Sequence, residues 1–289
     1  MSKFQLEGAT AIVTGASRGI GPHIAAALAE RGAKVALVAR SKLGLEATAG
    51  ALREAGGQVL TLAADVTSAG DRRLAVATVE RDLGQVDVLI NNAGGDLQRE
   101  FHNLSESDIE AVLDLNLTSG VILTRLLLPG MVARGHGHIV NVSSMAGRTA
   151  FPFTEAYGAA KDGLIGFTRV LRADYRSRGV SASSLILGPV RDTGVGHRTA
   201  EEVGLKLPPK ALTVSPKAIG EATVRAITKD KTELVLLNGP GKTIRAVMDR
   251  FPGLGPRMNK VSGAEATMRT VADHRERQAQ AGSRMHSVP

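Results

Sequence analysis

The chain has no cysteine and no tryptophan, and only two tyrosines and six phenylalanines among its 289 residues. Without thiols there is no disulfide framework, no thiolate metal site and no cysteine nucleophile, and a reducing, cytoplasmic setting is expected. With aromatic residues at 3%, the stacking platforms favoured by single-stranded nucleic acid are largely missing. Long hydrophobic runs are also lacking. The longest, Val121–Ala133, is broken by Arg125 and Pro129 and falls short of the roughly 20 residues that span a bilayer. A strand pattern starts near the first residues, without the charged-then-apolar layout of a signal peptide, so a soluble chain that is not exported is expected. Histidines 23, 102, 136, 138, 197, 274 and 286 show no metal-ligand spacing with acidic partners, and no metal is assigned. His136 and His138, on either side of a glycine ahead of a strand pattern, read as solvent-facing.

Positive charge is in excess, with a net charge of +8 and a pI near 10.0. From Pro240 onward nine Lys/Arg face four Asp/Glu, which places five of the eight surplus charges in the C-terminal stretch rather than in a groove. No nucleic-acid reading motif accompanies them, so no nucleic-acid partner is expected.

Seven short apolar runs alternate with helical patterns: "TAIVTG", "KVALVAR", "QVLTLAAD", "VDVLINNAG", "GHIVNVSS", "SASSLILG" and "ELVLLNG". Continuous β-branched runs between helices are how strands covered on both faces look. The expected fold is α/β: a Rossmann-type, doubly wound, seven-stranded parallel sheet with helices on both faces. Residues 1–239 would form this domain and 240–289 a partly helical C-terminal extension whose end fades into disorder. Ligands bind outside the carboxyl ends of such strands, and there the polar punctuation falls: Thr14–Gly21, Asp65, Asn91–Gly94, Ser143–Ser144 and Gly188–Thr193. Residues 190–214 lack a clear period and read as a mobile lid.

"TGASRGIG" (14–21) places Gly15, Gly19 and Gly21 between the first strand and the first helix. Glycines at such a turn let a ligand approach the backbone, and the helix N-terminus suits a pyrophosphate. Arg18 lies in the turn, and Arg40 stands at the end of the second strand, where an NAD site would place an acidic residue. Two arginines there suit a 2′-phosphate, so NADP(H) is expected in preference to NAD(H). In "EAYGAAK", Tyr157 and Lys161 are four residues apart and share a helix face. A lysine so placed can stabilise tyrosinate and lower the phenol pKa, fitting Tyr157 for proton transfer to or from a substrate oxygen. Ser144, at a strand end, is positioned to hydrogen-bond the same oxygen.

Together these motifs resemble the short-chain dehydrogenase/reductase family over roughly Leu6–Leu237. The resemblance implies that Gly15, Ser17, Arg18, Gly19, Ile20 and Gly21 contact the cofactor's phosphates and ribose. It places Asp65 and Val66 at its adenine, and Asn91, Asn92, Ala93 and Gly94 along the central strand beside the adenine ribose. Tyr157 corresponds to the family's acid/base, Lys161 to the residue that holds the nicotinamide ribose, Ser144 to the substrate-oxygen partner and Asn116 to the asparagine of a proton relay. Two departures stand out. "GPVRDT" inverts the family's "PG" before Thr193, so that Pro189, Val190 and Thr193 would direct that turn toward the nicotinamide amide. The glycine-rich C-terminal close of the family is also replaced.

The expected function is hydride transfer between NADP(H) and a carbonyl or secondary alcohol. Phe151, Phe153, Val195, Leu205 and Leu207 suggest an apolar substrate. The alternative is a cofactor-binding sensor or scaffold without turnover. The resemblance implies a homodimer or homotetramer through the helices around Glu106–Arg134 and Ala156–Arg178. In the extension, Ile244, Val247, Met248 and Phe251 form an apolar stripe. It is open to three readings: a helix packed on the domain or a sister subunit, which is favoured, a lid over the substrate, or a basic face on an acidic membrane. The final stretch from Ala266 reads as an exposed helix.

Overall fold

The computed structural model describes residues 4–205, 209–238, 253–261 and 263–286. All seven expected strands form: β1 (Thr10–Thr14), β2 (Lys34–Ala39), β3 (Val59–Ala63), β4 (Val86–Asn91), β5 (Gly137–Ser144), β6 (Val180–Leu187) and β7 (Glu233–Leu236). They make one parallel sheet in the order β3-β2-β1-β4-β5-β6-β7. The order reverses between β1 and β4, which opens a crevice at the carboxyl ends of those two strands. Every residue of β1 and β6 is buried, whereas the edge strands β3 and β7 are half-buried.

Alternate residues of each strand feed opposite faces. On one face Val13, Leu37, Ile90 and Leu185 pack with Ile24 and Leu28 of α1 (Gly21–Ala29) and Ile219 and Ile227 of α8 (Pro216–Thr228). α2 (Lys42–Glu54) adds Leu45 and Leu52 to this layer. On the other, Ile12, Val38, Leu89 and Ile139 meet Val79 of α3 (Ala69–Asp82), Leu123, Leu127 and Met131 of α5 (Ser119–Arg134) and Leu171 of α6 (Glu155–Tyr175). α4 (Glu106–Leu113) runs into α5 through a single π-helical turn, Asp114–Thr118. The 29-residue run Glu106–Arg134 is apolar and long enough to cross a membrane by length and composition; here it is a core helix.

Two expectations change. His138 is not solvent-facing: it lies inside β5, 1% exposed, with Nε2 2.8 Å from the Ser183 hydroxyl, and burial pushes its pKa down to about 4, leaving it neutral. His136 is exposed, as expected, and stacks on Phe4. Among the described residues of the 190–214 segment stand a helix α7 (Val195–Glu202) and a parallel bridge between Val190 and Val214. The last stretch is not a free helix. After α9 (Leu254–Val261), α10 (Ala264–His286) buries Met268, Val271 and Ala272, because three residues spaced i, i+3, i+4 suffice to seat one helix face. Ile244, Val247, Met248, Phe251 and Leu207 lie outside the described residues.

Candidate active site

The glycine turn follows β1 directly. Gly15 and Gly19 have φ of +66° and +71°, a backbone region that favours glycine. A Cβ on Gly15 would lie 2.9 Å from Ala93 Cα, and one on Gly21 only 2.3 Å from the Gly15 carbonyl oxygen. Gly15 and Gly21 are thus needed to fold the turn onto the end of β4, while Gly19 faces the Thr193–Gly194 turn, about 4 Å from where its Cβ would be. Thr14 and Asn92 tie the two strand ends together. The Thr14 hydroxyl accepts from the Asn92 and Ala93 amides at 2.9 and 3.0 Å and donates to the Ile90 carbonyl, and Asn92 Nδ2 donates to the Thr14 carbonyl at 2.8 Å. Beneath them Asn91 Nδ2 donates to Asn141 Oδ1, whose own amide donates to Thr168.

Arg40, on the loop after β2, is exposed and lies 4.0 Å from Asp65. Asp65 caps Thr67, accepting from its amide and hydroxyl; these bonds, with Arg40 and Arg72, outweigh desolvation and hold its pKa below the usual carboxylate range. Arg40, Asp65, Thr67, Glu110, Asp114 and Leu115 line a cleft of about 380 Å³. Val66 is buried beside it. Arg18, in the glycine turn, is exposed, and Ser17 beside it is half-buried.

At the carboxyl end of β5, Ser144 caps a 3-10 turn, its hydroxyl accepting from the Ala146 amide at 3.2 Å and close enough to the Tyr157 phenol to favour its ionised form. Lys161, 4% exposed, lies with Nζ 5.5 Å from the Tyr157 ring centroid and donates to the Val142 carbonyl at 3.0 Å. Asn116 occupies the π-helical turn, where the extra residue frees its side chain to bridge Gly95: Nδ2 donates to the Gly95 carbonyl at 2.7 Å and Oδ1 accepts from the Gly95 amide at 3.2 Å. A Cβ on Gly94 would meet Asn116 Oδ1 at 2.8 Å and Lys161 Nζ at 3.3 Å. The structure therefore brings Asn116 and Lys161 together at Gly94 and Ser144 and Tyr157 beside Lys161, while the turn after β6 that carries Thr193 faces Gly19 of the glycine turn.

The electrostatics depart from expectation. Burial pushes the Tyr157 phenol up to about 12; the Ser144 hydrogen bond pulls it down and Asp96 adds to the rise. Lys161 Nζ stands over the Tyr157 ring, and burial pushes Lys161 itself down to about 8, with Asp96 opposing. Asp96 is the residue that sequence reasoning missed. It sits in the loop after β4, held by the Leu97 and Gln98 amides, and desolvation raises its carboxyl to about 7, with Glu155 adding to the rise and Arg275 opposing it. The aperiodic "GGDLQRE" gave no signal for it beyond its place next to "NNAG".

Comparison with known proteins agrees with this geometry. The family profile described as short chain dehydrogenase matches residues 9–204. Ketoacyl reductase HetN of Nostoc sp. is 38% identical over 235 residues, covering 81% of this chain and 80% of the relative. The 3-oxoacyl-[acyl-carrier-protein] reductase FabG of Vibrio cholerae is 38% identical over 185 residues, 64% of this chain and 75% of that protein. Among solved structures, a metagenomic short-chain oxidoreductase in complex with NADP aligns with a TM-score of 0.68 at 29% identity, covering 81% of this chain and 98% of that one. An actinorhodin polyketide ketoreductase with NADPH gives 0.71 at 29% identity, covering 83% and 99%.

Proposed function

The chain belongs to the short chain dehydrogenase family, and from that premise we propose that it is an NADP(H)-dependent oxidoreductase interconverting a carbonyl and a secondary alcohol. The observation that carries this reading is the Ser144–Tyr157 pair with Lys161 Nζ 5.5 Å from the phenol ring centroid, set beside a glycine turn whose missing Cβ atoms leave the backbone open. That cradle fits a dinucleotide.

Gly15, Ser17, Gly19, Ile20 and Gly21 would hold the pyrophosphate, and Arg18 and Arg40 the 2′-phosphate. Asp65 and Val66 would flank the adenine, Asn92, Ala93 and Gly94 its ribose, and Pro189, Val190 and Thr193 the nicotinamide amide. The bound nicotinamide supplies or accepts the hydride at its C4. Ser144 Oγ and Tyr157 Oη hold the substrate oxygen, and the protonated phenol donates to it during reduction. Lys161 Nζ is the ammonium from which the phenol is reprotonated, and Asn116, locked to Gly95, fixes that end of the pocket. Phe151 and Phe153, on the loop before Tyr157, support an apolar substrate body.

Fluorescence titration with NADPH and NADH tests the cofactor. Arg40→Asp is expected to weaken NADPH binding by about ten-fold, the scale of one charged phosphate contact, and leave NADH unaffected. Tyr157→Phe is expected to lower turnover on carbonyls by about 10² to 10⁴ while NADPH affinity stays within about two-fold. Unchanged turnover would remove the phenol from the mechanism, and binding without turnover in the native protein would favour a sensor.

A further inference from the structure

Helix α10 lies beyond the region matched to the family, yet its ion pairs and its ring contact with other elements fall on the loops after β4 and β5 and on α7. Arg269 Nη1 pairs with Glu100 at 3.1 Å, and its guanidinium lies 5.1 Å over the Phe153 ring. Glu276 pairs with Arg99 at 3.2 Å, both largely buried, and Arg99 continues to Asp108 at 3.3 Å and the Asn103 carbonyl at 3.0 Å. Arg275 Nη2 pairs with Glu202, the last residue of α7, at 2.5 Å. One helix thus touches the loop after β4, the loop after β5 and the helix that follows β6. Its buried residues, Met268, Val271 and Ala272, share a face with Arg275 and Glu276, at i, i+3, i+4, i+7 and i+8.

α7 is also fastened from the other side. Thr199 Oγ1, buried, donates to Gln98 Oε1 at 3.1 Å, and Gln98 is held at φ 51°, a conformation that non-glycine residues rarely adopt. The loop that carries Asp96 is therefore clasped to α7 directly through Gln98 and again through α10.

We propose that α10 is a specificity-determining wall of the active site, and that the Arg275–Glu202 pair latches α7 over the substrate. Arg275 is a positioning residue in this scheme, since it acts through α7 and the β4 loop. The proposal rests on the oxidoreductase reading for what lies beneath the latch. Substrate entry then requires the latch to open, and the closed form sets the room left for the substrate body.

The test uses the full-length protein and three variants: Arg275→Glu, Glu202→Arg and the double reversal. Each single variant is expected to raise KM for a carbonyl substrate by about five-fold or more while kcat changes less than about two-fold, with NADPH affinity unchanged. In each, hydrogen exchange of residues 195–202 and 264–281 should quicken. The double reversal should restore KM to within about two-fold and return the exchange protection, as expected for a pair rather than for two independent sites. Arg275→Lys serves if the reversals do not fold, with a smaller KM rise in the same direction. Unchanged exchange and KM in the single variants would overturn the latch, as would single defects that the double reversal leaves unrepaired. Failure of the native protein to bind NADPH or turn over would overturn the oxidoreductase reading, while the exchange data would still decide whether the latch exists.

Discussion

At the scale of single residues, the site is governed by how burial treats the charged form of each group. Tyr157, pushed up to about 12, stays protonated across the working range, so it begins reduction as a proton donor. Lys161, pushed down to about 8, loses its ammonium just above neutrality. Carbonyl reduction is therefore expected to fall as pH rises through about 8. Asp96, once ionised, holds the Lys161 charge in place, so Asp96→Asn should move the falling limb of the kcat/KM profile to lower pH. A pH-rate profile of both proteins checks this; a limb that stays put would show that Asp96 does not act on the lysine. Glycines matter here by what they lack. A side chain on Gly94 would push into both Asn116 and Lys161.

At the scale of elements, the end of α6 is pinned to the turn between α8 and β7. Arg172 reaches Asp230 at 2.6 Å, Ser181 donates to the same carboxylate, and Arg176 Nε donates at 2.9 Å. Asp230 sits at φ 46°, so the turn is held by these bonds against its own backbone preference. Desolvation raises the Asp230 pKa, but the three donors outweigh it and hold the carboxyl at about 2. The folded pKa is depressed, so the stabilisation is present above the unfolded value near 3.8 and is lost as pH falls through about 2. Asp230→Asn is expected to cost about 1 kcal/mol at pH 7, discounted for partial exposure, with the difference from the native protein narrowing below pH 4. Urea unfolding at the two pH values measures it.

At the scale of the whole molecule, α5 and α6 each turn one face to the sheet and leave the other outside. Val170 of α6 is 62% exposed, a large apolar residue on a long helix in the region expected to join subunits. A homodimer or homotetramer through α5 and α6 is therefore expected, and Val170→Glu should shift light-scattering mass toward monomer while leaving the monomer folded. An unchanged mass would place the interface elsewhere or leave the protein monomeric. The stretch from Ala266, read from sequence as an exposed helix, instead buries Met268, Val271 and Ala272 as part of α10, whereas the stripe read as a packed helix lies outside the described residues.

The sequence by itself determined the sheet, the glycine turn and the pairing of Tyr157 with Lys161, because each depends on neighbours within a few positions. Strands covered on both faces must be apolar throughout, a turn that approaches another backbone must drop its side chains, and residues four apart on a helix share a face. Tertiary structure alone decided what depends on distant partners. His138 is buried because β5 lies between β4 and β6, which no local pattern around a single glycine reveals. The Tyr157 phenol is raised by burial and by Asp96, 61 positions away in the sequence, neither of which its local pattern reveals. Charged α10 found its seat because its Arg269, Arg275 and Glu276 meet opposite charges more than 70 residues upstream, on the loop after β4 and on α7 after β6. Such pairing is specified by the fold's geometry, which brings those strand ends together, and not by any period within the helix.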